Sequence, residues 1–408
     1  MSLVERPVQR PAPSPAPEAA AGPPDHEERL ARLRVIRSEN VGPRTYAHVM
    51  HRFGSAQAGI EALPALARRG GRRDYRPCPR ETAEAELRAG AEAGATLITV
   101  GEPAYPPLLA AIDSAPPAIW VVGDPGVMSR PAVGVVGARN ASALGLRTAR
   151  RIAADLAAAG YVVVSGLARG IDHAAHEAAV ESGTVAVMAG GVDRIFPPEH
   201  EALAARIAAT GALVSECPVG TEPTGRHFPR RNRLIAGLSE GVLLIEAALR
   251  SGSLITARYA LDQGREVMAC PGAPEDPRAG GCNRLIRDGA ALIRSAADVV
   301  EALAALQAEP AGLAEPPSGF LFDEADLDIA EDGSGLAALD AFDEESESGE
   351  TALPDQILRL LGPAPVETDE LARLAGCPPA ELSLALLELE LAGRIEVVPG
   401  SGVALAAS

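Results

Sequence analysis

The sequence predicts an α/β protein: a doubly wound, mostly parallel sheet, preceded by a small helical module and followed by a winged-helix domain. Three observations carry this. From residue 131 onward, short apolar runs alternate with helical segments. Runs such as Tyr161-Val162-Val163-Val164 are apolar at successive rather than alternate positions, so helices must cover both strand faces, as in parallel sheets. Beyond an acidic stretch, residues 352–406 read as three helices and a hairpin.

At 408 residues the chain is long enough for two or three units of roughly 150 residues each. Residues 1–26 are rich in Pro and Ala with almost no large apolar side chains, which predicts a disordered arm. Residues 27–92 form the helical module, with Leu30, Leu33 and Ile36 spaced for one face. There Asn40-Val41-Gly42-Pro43-Arg44-Thr45 is a turn entering a second helix. Such a turn can aim backbone N–H groups at a DNA phosphate, as helix–hairpin–helix elements do; a plain packing module is the simpler reading. Residues 93–308 form the core. Leu97–Val100 and Ala118–Val122 read as strands around a Pro-rich loop, then strands follow at 132–137, 161–165, 184–189, 212–215, 242–246, 266–270 and 291–294. Residues 309–350 are an acidic linker, with 12 acids and no base between Asp323 and Glu350, a run that repels itself and stays extended. In 351–408, helices start near Ile357, Thr368 and Pro379, and Gly393 ends the third before a short hairpin.

Composition narrows the function. All 37 basic residues are Arg, which excludes a P-loop lysine and Schiff-base chemistry. The five Cys form no CxxC pair, which disfavours a disulfide framework or zinc cluster and suits a reducing compartment. With no signal pattern and no apolar run of about 18 residues, the chain is expected in the cytoplasm and off the membrane. The net charge of −18 is unevenly placed: residues 1–130 carry +1, 131–308 are neutral, and 309–408 carry −19. An acidic pI therefore does not exclude nucleic acid as a partner of the first three quarters.

Ligands of open parallel sheets bind beyond the carboxyl ends of the strands. The segments there are Gly137-Ala138-Arg139-Asn140-Ala141-Ser142, Ser165-Gly166-Leu167-Ala168-Arg169-Gly170, Gly190-Gly191, Phe228-Pro229-Arg230-Arg231-Asn232-Arg233, Arg250-Ser251-Gly252-Ser253 leading to Thr256, and Pro271-Gly272. One sheet edge thus gathers glycines, hydroxyls, helix N-termini and arginines, a combination that favours phosphate. Ser142 is placed to cap its helix, leaving free donors beside Arg139. The dinucleotide fingerprint G-x-G-x-x-G is absent, and no acid ends the second strand of the parallel set to hold a ribose, so no cofactor is expected. Arginines on several loops beside Phe228 suit an extended polyanion with bases to stack. Phe228 reads equally as a hydrophobic plug under its loop.

Candidates for catalysis are Asp172, His173, His176, Glu216 and Glu246. His173 and His176 can share a helix face with Asp172 as N-cap, but a third metal ligand at helical spacing is missing. Asp172 reads better as a cap, and Glu216 and Glu246 as holders of arginines or backbone groups. No catalytic or metal-binding residue is assigned.

Taken in order, Gly137–Asn140, Ser165–His176, Phe228–Ser239, Glu246 with Ser251–Ala257, Gly264–Val267 and Pro271-Gly272 closely resemble the DNA-processing protein A family (DprA, also called Smf) across 131–300. The N-terminal module, of SAM or helix–hairpin–helix type, and the winged helix resemble that family less distinctively. The resemblance implies a Rossmann-like domain that binds single-stranded DNA, forms a homodimer, and protects incoming DNA while loading RecA onto it in natural transformation. The resemblance carries the family's basic pocket residues over to Arg139 and Arg169; with the sheet-edge loops read above, the expected DNA site is Gly137, Arg139, Asn140, Ser165, Gly166, Arg169, Gly170, Phe228, Arg230, Arg231, Asn232, Arg233, Ser251, Gly252 and Thr256. Position 169 is often Lys in the family; Arg keeps the charge. The alternative is a nucleotide-binding or nucleotide-hydrolysing enzyme of the lysine-decarboxylase-like Rossmann group. Its Pro-Gly-Gly-x-Gly-Thr loop is not matched by Arg250-Ser-Gly-Ser-Leu-Ile-Thr256. The acidic linker has no counterpart role in the family. The winged helix, with Glu381, Glu388 and Glu390 and no base on its third helix, is expected to contact a protein or to compete with DNA for the arginine edge.

Overall fold

The computed structural model describes residues 24–274, 276–308, 353–361, 365–398 and 402–406. The arm expected up to residue 26 falls almost wholly, and the acidic linker 309–350 wholly, outside the described residues. The module consists of α1 (His26–Ile36), α2 (Pro43–Phe53), α3 (Ala56–Arg69) and α4 (Arg80–Glu92). Asp25 caps α1 by accepting from the Glu28 N–H, and Ser55 caps α3 through Ala58 N–H, each satisfying a donor the first turn leaves open.

The core runs β1 (Thr96–Thr99), α5 (Pro107–Ala110), β2 (Ala118–Gly123), β3 (Ala132–Gly137), α6 (Ala143–Ala158), β4 (Val162–Ser165), α7 (Ile171–Ala179), β5 (Thr184–Val187) and α8 (Glu201–Thr210). It continues with β6 (Ala212–Ser215), α9 (His227–Gly237), β7 (Gly241–Ile245), α10 (Ser253–Asp262), β8 (Glu266–Ala269), α11 (Gly280–Arg287), β9 (Ala291–Leu292) and α12 (Ala296–Ala308). The nine strands lie in the order β1-β2-β6-β5-β4-β3-β7-β8-β9. From β6 to β9 every pairing is parallel, while β2 joins β6, and β1 joins β2, antiparallel. Strand order reverses between β3 and β7, so the loops that follow these two strands diverge and leave a crevice.

Both faces are buried, as the continuous apolar strands require. Val133, Val135, Leu243 and Ile245 face α6, α7 and α12. Their neighbours Ala132, Val136, Val242 and Leu244 face α9, α10 and α11. At the β1–β2 end, the module packs on the sheet through Leu30, Leu33 and Ala83 against Leu97 and Trp120. Trp120 is 1% exposed and donates its Nε1–H to Glu86 at 3.0 Å. A Cβ on Gly90 of α4 would lie 2.2 Å from the indole, so only glycine admits the ring there.

The winged helix comprises α13 (Leu353–Leu360), α14 (Thr368–Ala375), α15 (Pro379–Leu391), β10 (Ile395–Val398) and β11 (Gly402–Leu405). Leu382, Leu386 and Leu389 of α15 fill its own core. Leu387 and Leu391 instead enter the module's core beside Val49, Leu63 and Leu66. Among the described residues no helix is long and apolar enough to cross a membrane.

Candidate nucleic-acid interface

A cavity of about 610 Å³ opens at the crevice between β3 and β7. Its walls are the post-β3 loop (Gly137 to Asn140), Ala168 and Asp172, the α9 segment from Phe228, the loop and first turn around Ser251 to Thr256, and Arg278. Gly170 lets the loops after β3 and β4 meet. Its φ is 77°, and a Cβ there would lie 2.2 Å from the Ala138 carbonyl oxygen.

The expected site residues divide into groups. Arg139 and Asn140 are exposed at the mouth. The Arg139 guanidinium lies 5.4 Å from the Phe228 ring centroid, and Arg231 lies 6.0 Å from it, so the half-buried ring is flanked by two cations. Gly137, Asn232, Ser251, Gly252 and Thr256 complete the lining from the expected set. Gly252 provides no side-chain cap for α10, but Ser251 Oγ accepts from Ser253 N–H at 3.3 Å and the Ser251 and Gly252 carbonyls accept from Leu254 and Ile255 N–H, so what the first turn offers an anion in the cavity is the positive end of the helix dipole and its hydroxyls.

Arg231 and Arg233 sit inside the protein, at 6% and 7% exposure. Arg231 Nη1 donates to the carbonyls of Gly166 at 2.5 Å and Val187 at 2.6 Å, tying α9 to the loop after β4 and to β5. Burial pulls the Arg231 guanidinium down to about 10, opposed by the Asp172 carboxylate. It remains a cation at neutral pH and sets the potential of the cavity wall from behind. Arg233 donates to the Ser114 carbonyl at 2.6 Å and pairs with Glu216, which anchors α9 to the Pro-rich loop. Ser165 is fully buried and donates to the Val135 carbonyl at 2.6 Å. Gly166 is buried against the Arg231 guanidinium. Arg230 points to the other flank of α9, where it lines a cavity of about 260 Å³ with Arg37, Pro43 and His227. Arg169 is exposed outside the cavity lining and forms an ion pair with Glu199.

The candidate acids are engaged in structure. Asp172 does not cap its own helix, since the N-cap of α7 is Gly170. It accepts instead from Gly166 N–H at 3.1 Å and Ala168 N–H at 3.4 Å, because the chain loops back over it. Burial pushes its carboxyl above the usual range, against Arg231 and these donors. Ser142 caps α6 through Gly145 N–H at 2.9 Å. The donors expected to be free there are not all free, because Glu246 Oε2 accepts from Ser142 N–H at 2.8 Å and Oε1 from the Ser142 hydroxyl. His173 and His176 diverge rather than share a site. His173 packs against His200, with ring centroids 4.6 Å apart and the planes tilted 43°, whereas His176 is fully buried against Thr184, its pKa driven down to about 3 by burial.

Two rim residues lie outside the set read from the sequence. Arg278 comes from the segment after β8 and pairs with Asp276 at 2.8 Å. Phe196, in the loop after β5, meets Phe228 edge-on with centroids 5.7 Å apart. Pro271-Gly272 marked the first segment; Phe196 stands among turn residues with no periodic signal.

Comparison with known proteins finds relatives over most of the chain. The family model of DNA recombination-mediator protein A matches residues 96–304, that of the DprA-like N-terminal HHH domain residues 26–89, and that of the DprA winged helix domain residues 343–401. Protein Smf of Escherichia coli (strain K12) is 39% identical over 331 residues, 80% of this chain and 82% of that protein. DNA processing protein DprA of Bacillus subtilis (strain 168) is 43% identical over 220 residues, 53% of this chain and 74% of that protein. An X-ray structure of DNA processing protein A (DprA) from Streptococcus pneumoniae superposes with a TM-score of 0.57 at 32% identity, covering 67% of this chain and 96% of that one. A core match over half the sequence, flanking modules matched in the same order, and a relative similar over most of its length together show that the chain belongs to the DNA recombination-mediator protein A (DprA/Smf) family.

Proposed function

We propose that this protein is a cytoplasmic, non-enzymatic single-stranded DNA binder that protects incoming DNA and, as a homodimer, delivers it to RecA in natural transformation. One observation carries the DNA reading: the crevice at the strand-order reversal combines an exposed Arg139, an aromatic ring flanked by cations and the positive, N-terminal end of α10 with its Ser251 and Ser253 hydroxyls. A phosphate meets Arg139 and the first turn of α10, and an unpaired base meets Phe228. Relatives bearing the name DNA processing protein support the same reading. Asp172, Glu216 and Glu246 are each engaged by backbone donors or an arginine, which favours binding over the nucleotide-hydrolase alternative.

The test is a titration of labelled single-stranded and duplex oligonucleotides at several salt concentrations, with mononucleotides incubated in parallel. Single strands are expected to bind tighter than duplex with little base preference. Arg139→Ala is expected to weaken binding and flatten the log–log salt dependence by roughly 0.7, one phosphate contact. Equal affinity for duplex, an Arg139→Ala variant identical to wild type, or release of free base from mononucleotides would each count against the proposal.

A further inference from the structure

Phe196 is among the exposed large apolar residues of the core, at 47% of its surface. A single exposed apolar side chain is ordinary by itself. The backbone that carries this one is not slack. Gly191 N–H donates to the Thr221 carbonyl at 2.8 Å, and Asp193 accepts from Gly220 N–H at 2.7 Å. At the other end, His200 Nδ1 lies 2.8 Å from the Leu167 carbonyl oxygen, and its ring packs, tilted, against His173. Val192 and Pro197 on either side are buried. The loop is therefore pinned at both ends and holds Phe196 half out in water, where the exposed half of its apolar surface gains nothing from folding.

What it touches gives the ring a use. Its edge-on contact with Phe228 places it next to the ring already flanked by Arg139 and Arg231. Phe228 serves the cavity, whereas Phe196 extends the aromatic surface beyond the mouth. We propose that Phe196 is a second stacking platform of the DNA site, taking one unpaired base beside the nucleotide seated at Phe228. This rests on the single-strand reading above and assigns part of its strand selectivity to Phe196. A base can lie on Phe196 only after leaving a duplex stack, so the platform rewards single strands alone. It accepts any base, because every base has a π-face.

The experiment uses the full chain. Phe196→Ala is expected to weaken binding of a single-stranded oligonucleotide at least about fivefold, the lower end for one lost stack, with the salt slope unchanged because no ion is involved. Duplex affinity is expected to stay constant, so the preference for single strands narrows. On an oligonucleotide with abasic sites the variant and wild type are expected to converge. Because Phe196 is half exposed, the variant should keep its melting temperature. As an independent readout, Phe196→Trp supplies an exposed indole beside the buried Trp120, and its fluorescence is expected to quench when single-stranded DNA is added. If Phe196→Ala binds like wild type and Phe196→Trp is not quenched, while Arg139→Ala still weakens binding, the platform is wrong and the DNA site stands. If the wild type does not bind single strands, both fail.

Discussion

Arg139 and Arg169 stand beyond the same sheet edge in different electrostatic states. Arg139 faces the Phe228 ring, a weak partner that a phosphate need not displace. Arg169 is held by Glu199, which keeps that carboxyl below its usual range; the two side chains are 66% and 47% exposed. An exposed pair of this kind contributes little stability and is readily exchanged for a phosphate. Glu199→Gln is therefore expected to tighten single-strand binding and to steepen its salt slope by up to about 0.7, because Arg169 then releases its own counterion on binding. Titrations at several salt concentrations measure this, and an unchanged or weaker Glu199→Gln variant would remove Arg169 from the site. The arginines of α9 show what could be read at this scale. Arg231, Leu234, Ile235 and Leu238 are spaced three, four and seven apart, so helical periodicity already places Arg231 on the buried stripe. What periodicity could not supply is its acceptors, the carbonyls of Gly166 and Val187, which lie 65 and 44 residues away. Phe196 was illegible for the same reason: its meaning comes from Phe228, in another loop.

At the scale of elements, the core strands were legible because most are short, nearly continuous apolar runs, and the site loops because glycine- and arginine-bearing segments follow the strand ends. The partner of α15 was not. Its acids suggested another protein or the arginine edge, but Glu388 pairs with Arg69 at 2.7 Å and Glu390 accepts from the Thr45 hydroxyl at 2.7 Å. Asn40 Nδ2 donates to the Leu391 carbonyl at 3.0 Å, so the turn that can serve a phosphate instead meets α15. The partner of the winged helix is thus the chain's own module, and a surface that would enter a duplex groove is occupied by it. Arg69→Glu is expected to loosen this contact by roughly 1–3 kcal/mol, towards the lower figure because Arg69 is half exposed. Adding Glu388→Arg should restore part of the loss. Hydrogen exchange in α2 and α3 reports it, and unchanged protection in Arg69→Glu would refute the role of the pair. Burial also raises the Glu388 and Glu390 carboxyls above their ordinary value, against Arg69 and Arg52 for the first and Thr45 and Arg44 for the second. The docked state then binds protons more readily than the undocked one. Docking should therefore strengthen as pH falls into the range just above the ordinary glutamate value, and weaken as pH rises until both groups are ionised.

For the whole molecule, the decisive asymmetry is electrostatic. Residues 1–308 are nearly neutral overall, with Arg139, Arg231 and Arg278 at the crevice, whereas 309–408 carry −19. A like-charged tail raises the cost of bringing a polyanion to the same molecule, over a range that salt shortens to about 10 Å at 0.1 M. No described residue beyond Arg278 lines the cavity at the crevice, so removing the described winged helix takes away no contact there. Deleting 309–408 is therefore expected to leave single-strand binding intact or to tighten it, with the larger gain at low salt. The same deletion uncovers the module's core where Leu387 and Leu391 enter it, so the truncated protein should melt at a lower temperature even while it binds as well. Full-length Arg69→Glu separates the two effects, since it loosens the winged helix but keeps every tail charge, altering only the module, by −2. Affinity and melting temperature measured together on the three proteins decide the matter. A clear loss of single-strand affinity in a truncated protein that remains folded and keeps the full-length protein's oligomeric state would make the winged helix a DNA contact and overturn its docking on the module as its role.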